Sequence, residues 1–197
     1  GDEVADGCWP RRGFHCSPIE WGTTFSCLQA AREAGVPQVS LDPGLWIGQR
    51  SLAEIGEVLA LCDACLPSEA EAQLLFGPHA SRQEMARGLA EAGAPLVVLK
   101  LGAEGCLVYQ RESDSFALIP AVPAAVVDVT GAGDAFCGAF AVGLAETGDP
   151  VVAACWGGVA ASFVVEGVGA LYGLEKATAE EMERRVGLFP GRVSEAD

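Results

Sequence analysis

The chain has 197 residues, half of them hydrophobic, and a formal net charge of -15, with Lys100 and Lys176 as its only lysines. That size supports one sizeable core, and the acidity excludes a nucleic-acid surface, which needs a basic stripe. Charged residues and glycine-rich turns interrupt every apolar run before it reaches bilayer length, so no membrane segment is expected.

Residues 1–25, including Pro10-Arg11-Arg12-Gly13-Phe14-His15-Cys16, read as a loop-like segment, with His15 and His79 isolated and facing solvent. The start at Gly1 rather than Met, with no charged and then apolar leader, predicts a fragment without a secretory signal. A helix is predicted over 23–34, closed by Gly35, then a strand over 36–41, a helix over 51–61, a short strand over 64–66 and a helix over 69–76 stopped by Gly77-Pro78. Ser81 with Glu84 makes a capping box for a helix to Ala92. Apolar strands at 96–99 and 106–109 flank a turn at 102–105, and another strand falls at 116–119. A strand at 124–127 leads into a helix over 135–146, Asp149-Pro150 starts a second long helix, and a last one spans 179–186. Alternating strands and helices with apolar strands predict a three-layer α/β/α fold around a mostly parallel sheet. Residues 26–190 form that body, and 191–197 a tail.

Of the eight cysteines only Cys62 and Cys65 make a C-x-x-C pair, and no second pair lies at zinc-ribbon spacing. Cys106, Cys137 and Cys155 sit among apolar or small residues and read as small hydrophobes. Reduced thiols and a cytoplasmic location are expected.

The most informative run is Asp128-Val129-Thr130-Gly131-Ala132-Gly133-Asp134-Ala135-Phe136. A strand feeding a glycine-rich turn and then a helix aims unpaired amides and the positive end of the helix dipole at one spot. Gly131, Ala132 and Gly133 let an anion approach that backbone, and Asp134 places a carboxylate beside it. Amides that hold a phosphoryl group next to a base for a hydroxyl proton make a phosphotransfer site. A Walker A loop would need a Lys followed by Ser or Thr at the end of the glycine run, and a Rossmann fingerprint a third glycine where Phe136 stands.

This nonamer resembles the second signature of the ribokinase-like, or PfkB, family of carbohydrate kinases. The resemblance runs over about residues 36–186 and corresponds to the C-terminal portion of a family member, with the N-terminal strands and the lid missing. It implies transfer of the γ-phosphoryl of ATP to a hydroxyl of a small sugar, sugar acid or nucleoside, with Asp134 as the base and the amides of Ala132, Gly133 and Asp134 as the anion hole. A non-catalytic nucleotide-binding or regulatory module derived from the family is the alternative.

Other segments resemble the family pattern less closely. Val39-Ser40-Leu41-Asp42-Pro43 is similar to a strand end that reads Asp-x-Asn in relatives, with Gly44 in place of the Asn; Asp42 reads equally as a plain turn residue. Ser68-Glu69-Ala70-Glu71 resembles an Asn-x-x-Glu motif and implies that Glu71 holds Mg²⁺ through water, although Ser68 and Glu71 also read as a capping box. Lys100, Gly102 and Gly105 resemble the turn along the phosphates, or form a glycine-rich hairpin. Gly158 falls in the helix that flanks the adenine. The resemblance also implies a monovalent cation such as K⁺ held by Asp128 and Thr130 with carbonyls around Val164, Gly167 and Gly169, although Thr130 reads equally as a helix cap. Homodimerisation of the intact protein is a further implication.

Overall fold

A computed structural model describes residues 12–189 and 194–195. Strands β1 (Phe14–Cys16), β2 (Val39–Leu41), β3 (Ala64–Cys65) and β4 (Leu96–Lys100) lie side by side in chain order, all parallel. They are joined by α1 (Trp21–Glu33), by a 3₁₀ turn (Gly44–Gln49) with α2 (Leu52–Leu59), and by α3 (Glu69–Phe76) with α4 (Arg82–Ala92). Crossovers between parallel strands are right-handed, so strands laid down in one direction put these four helices on one face.

From β4 the sheet continues antiparallel through β5 (Cys106–Gln110) and β6 (Ser115–Ile119). The chain then crosses to the other face, where α5 (Ala132–Thr147) and α6 (Pro150–Val164) cover the sheet, followed by α7 (Ala179–Val186). The three-layer α/β/α architecture follows from this path.

Side-chain alternation along β4 shows why both faces are needed. Val97 and Leu99 enter a cluster with Leu28, Ile55, Leu59, Met85 and Leu89 from α1, α2 and α4. Leu96 and Val98 enter the opposite cluster, with Phe136, Phe140, Val159 and Phe163 from α5 and α6. Neighbouring residues of a strand face opposite sides, so a sheet buried on both faces needs an unbroken apolar run. Phe140 and Phe163 are almost wholly buried, and truncating either to Ala costs about 3–5 kcal/mol. Capping boxes at Ser51/Glu54, Ser68/Glu71 and Ser81/Glu84 set the starts of α2, α3 and α4.

Four expectations change. The segment 1–25 is not loop throughout: residues 1–11 lie outside the described part, but Phe14–Cys16 pairs with β2 and α1 begins at Trp21. Three residues are too few to show strand periodicity. The tail 191–197 contains β7 (Ser194–Glu195), which pairs with β6. Residues 124–127 are not a strand; Pro120 and Pro123 lack ladder donors, and the Val127 N–H turns to the Val165 carbonyl at 2.7 Å. Helix α5 begins three residues early, at Ala132, inside the glycine-rich run.

Among the described residues no helix is long and apolar enough to cross a membrane. The described cysteines are free thiols, and no group of three His, Cys, Asp or Glu among the described residues is placed to hold a metal ion.

Candidate functional site

Ligands of parallel sheets bind beyond the carboxyl ends of the strands, and here β2, β3 and β4 end facing the start of α5. Gly131 is the N-cap of α5, at a φ of 81°. That left-handed conformation strains any residue with a Cβ, and a Cβ there would also lie 2.4 Å from that of Ala170. A glycine cap makes no side-chain hydrogen bond to the first turn. The Gly133 and Asp134 N–H groups have no acceptor among the described residues, whereas the Ala132 N–H donates to the Val129 carbonyl at 3.1 Å. Of the three amides expected to form an anion hole, two are therefore unbonded.

Thr130 does not cap the helix. Its N–H and hydroxyl donate to Asp128 Oδ1 at 3.0 and 2.7 Å, while the Gly169 N–H donates to Asp128 Oδ2 at 2.9 Å. Asp128 thus pins the approach to α5 onto the loop after α6, and these bonds, that from Gly169 foremost, hold its carboxyl below the usual range. The Val165 carbonyl, next to Val164, accepts from Val127 and Asp128, and the Tyr172 ring packs on Gly167.

A cleft of about 820 Å³ opens over the start of α5, a size usual for small-molecule sites. Asp42, Ser68, Glu71, Lys100, Gly102, Gly105, Ala132, Gly133, Asp134 and Gly158 all line it. Asp134 stands exposed in the first turn of the helix. Glu71 accepts from the Ser68 N–H at 2.7 Å through Oε2, and the Glu71 N–H donates to Ser68 Oγ at 3.2 Å. Capping occupies one carboxylate oxygen of Glu71 and leaves Oε1 without a hydrogen-bond partner among the described residues.

Lys100, at the end of β4, forms an ion pair with Asp42, at the end of β2. Cys137 of α5 lies against both, its Sγ 3.6 Å from Lys100 Nζ and from Asp42 Oδ2. Burial opposes the charge on Lys100, but Cys137 and Asp42 outweigh it, and the Lys100 pKa is raised. The Cys137 thiol, pushed up to about 12 mainly by burial, is itself neutral at pH 7, so the compensating charge is that of Asp42.

His15 is not solvent-facing. Its Nδ1 lies 2.9 Å from Ser40 Oγ, and its Nε2 is buried without a hydrogen-bond partner. Burial first, then the Lys100 charge, lower its pKa from 6.5 to about 4, against a smaller opposing effect of Asp134. His79 is exposed, as expected. The sign of the linkage follows from the lowered value: the unfolded chain takes up a proton at this histidine below pH 6.5, and the folded chain only near pH 4. His15 therefore costs no stability above pH 6.5 and removes up to about 3 kcal/mol as pH falls to 4. Denaturant titrations at pH 7 and pH 4.5 should show His15→Leu losing less stability on acidification than the parent; equal losses would place His15 in water. Sequence reasoning missed this residue because a lone histidine in a three-residue strand carries no periodic signal.

The mostly parallel α/β sheet covered by helices on both faces is of the ribokinase-like class. Ribokinase from Thermotoga maritima matches with a TM-score of 0.74 and 28% identity, over 89% of this chain and 56% of that one. Arabidopsis thaliana ribokinase, solved with ribose and ATP, matches with a TM-score of 0.74 and 25% identity, over 91% and 61%. The pfkB family carbohydrate kinase pattern spans residues 13–177, and the chain belongs to that family. An uncharacterized sugar kinase of Archaeoglobus fulgidus is 32% identical over 139 residues, 71% of this chain and 54% of the relative. The cytidine kinase of Thermococcus kodakarensis is 34% identical over 133 residues, 66% and 46% of the two chains. The chain spans about half the length of the curated relatives it matches.

Proposed function

We propose that this chain carries the nucleotide site and the catalytic base of an ATP-dependent phosphotransferase whose acceptor is a hydroxyl of a small sugar, sugar acid or nucleoside. The observation that supports this best is the start of α5, where two free amides, a carboxylate and a lysine converge on one cleft. Asp134 takes the proton of the acceptor hydroxyl as its oxygen attacks the γ-phosphorus and the bond to the β-phosphate oxygen breaks. The Gly133 and Asp134 amides and Lys100 neutralise charge on the transferring group. Gly102 keeps the cleft wall beside the phosphates free of a side chain, Gly105 lets that turn close against the backbone after β6, and Gly158 keeps the wall free on the adenine side. Relatives solved with ribose and ATP, or named as cytidine kinase, support the nucleotide and the acceptor class, and the acceptor itself is left at that class. The retained base and lysine favour the kinase over the non-catalytic module.

Glu71 would hold Mg²⁺ through water with its free oxygen, and Ser68 fixes its backbone. When bound, Mg²⁺ supplies charge neutralisation on the phosphates. Asp128 and Thr130, with carbonyls around Val164, Gly167 and Gly169, would hold a monovalent cation, in a loop that Asp128 closes through its own hydrogen bonds.

Calorimetry of Mg–ATP with this chain tests the reading, with Gly133→Asp as the control. A Cβ at Gly133 meets only Lys100 Nζ, at 3.7 Å, so the variant folds while setting a carboxylate in the anion site. Binding abolished by that change is the expected result. No binding by the folded parent chain would remove the nucleotide from its function.

A further inference from the structure

We propose that Asp42 is a positioning residue of this site, tethering the Lys100 ammonium against the anion-binding turn of α5. The inference rests on the phosphotransfer reading for its consequence, but the tether itself is read from contacts alone. Asp42 and Lys100 are both nearly buried, with side chains 7% and 13% exposed, and both line the cleft. Each carboxylate oxygen of Asp42 already has a partner in the protein. Oδ1 accepts from the Gly44 N–H at 3.2 Å, and Oδ2 accepts from Lys100 Nζ with the Cys137 thiol 3.6 Å away. Asp42 is thus committed to holding other groups and has little left to offer a substrate. Lys100 differs: an ammonium has three donors, and its Nζ lies 3.7 Å from where a Cβ on Gly133 would stand. With one donor held by Asp42 and a second turned to Cys137 Sγ at 3.6 Å, one is left for the turn whose amides are free.

The backbone fixes both ends of this tether. The Lys100 N–H donates to the Pro67 carbonyl at 2.8 Å, and Ser68 bridges to Lys100 in parallel register. Lys100 therefore sits beside the capping box that holds Glu71, whose charge also raises the Lys100 pKa. Without Asp42, Glu71 is the carboxylate whose charge still acts on Lys100, and a lysine drawn there would leave the anion site and occupy the oxygen intended for the metal. The glycine at position 44, with a φ of 60°, lets its N–H reach back to Asp42 Oδ1 and orient the carboxylate. A plain turn residue would show the Gly44 bond but not the buried ion pair with β4.

Two measurements on the chain test this. With two lysines in the sequence, side-chain-labelled lysine gives two NMR signals. Lys100 should titrate at lower pH in Asp42→Asn than in the parent. An unchanged Lys100 titration in the variant overturns the tether. Mg–ATP affinity is then compared in the parent, Asp42→Asn, Lys100→Met and the double variant. Asp42→Asn should weaken binding about tenfold or more, the loss expected when a charge-assisted contact is released, and the double variant should bind no more weakly than Lys100→Met. If Asp42→Asn binds like the parent, or if the two losses multiply, Asp42 does not act through Lys100 and the proposal falls. Should Asp42→Asn fail to fold with its lysine unpaired, the double variant removes both charges, and a multiplied loss there still overturns the proposal. A parent chain that shows the titration difference but binds no Mg–ATP keeps the tether and sinks the phosphotransfer reading instead.

Discussion

Asp134→Asn in the intact protein should lower kcat by about 10²–10⁴-fold, the usual contribution of a positioned general base, while Mg–ATP binding is retained. The two effects separate because Asp134 supplies both a carboxylate and one of the two free amides at the start of α5. Asn keeps the amide and the shape of the first helical turn but cannot accept a proton at neutral pH. Asp134 is exposed on the cleft wall and holds no structural ion pair among the described residues, so the substitution leaves the fold intact. Steady-state kinetics alongside calorimetry checks this. Unchanged turnover would take Asp134 out of the mechanism, whereas lost binding together with lost turnover would make it a nucleotide ligand instead.

Gly105→Ala should cost about 3–5 kcal/mol of stability, from left-handed strain and overpacking together, and lower Tm by roughly 10 °C for a chain of this size. Gly105 has a φ of 100°, and a Cβ there would lie 1.9 Å from the Ile119 carbonyl oxygen and 2.6 Å from the Ala121 nitrogen. Both neighbours are backbone of the strand end at β6 and the segment leading from it, so neither can swing away. Gly133 presents the opposite case, with open space and an ordinary backbone: substitution there should spare Tm and remove nucleotide binding. Differential scanning calorimetry of the two variants separates a glycine kept for the fold from one kept for the ligand. Equal melting temperatures would show that the turn at 102–105 relaxes, and would return Gly105 to a role in binding alone.

Much of the architecture was legible because its signals are local. The capping pairs Ser68/Glu71 and Ser81/Glu84 start α3 and α4 where predicted, since an N-cap bond spans three residues. The apolar run at 96–99 is a strand buried on both faces, and the helix at 179–186 matches its predicted bounds. Legibility failed where pairing is non-local or an element is too short. β1 and β7 hold three and two residues and exist because β2 and β6 offer edges to them. The extended run at 124–127 looked like a strand in composition, yet its amide at Val127 found the carbonyl of Val165 rather than a neighbouring strand.

The candidate site divides in the same way. The run Thr130-Gly131-Ala132-Gly133-Asp134 by itself determined a helix start open to an anion with a carboxylate in its first turn, because glycine conformation, capping and the helix dipole act within a few residues. Only the tertiary structure decided that Thr130 bonds to Asp128 instead of capping the helix, that Ala132 spends its amide on Val129, and that His15 is half-buried and neutral at pH 7. It also chose the partners of Lys100: Asp42 stands 58 residues before it and Cys137 37 residues after it. Those side chains meet because β2, β3 and β4 pair in parallel and end at one edge of the sheet, and long-range strand register, which places them, leaves no trace in the spacing of the residues along the chain.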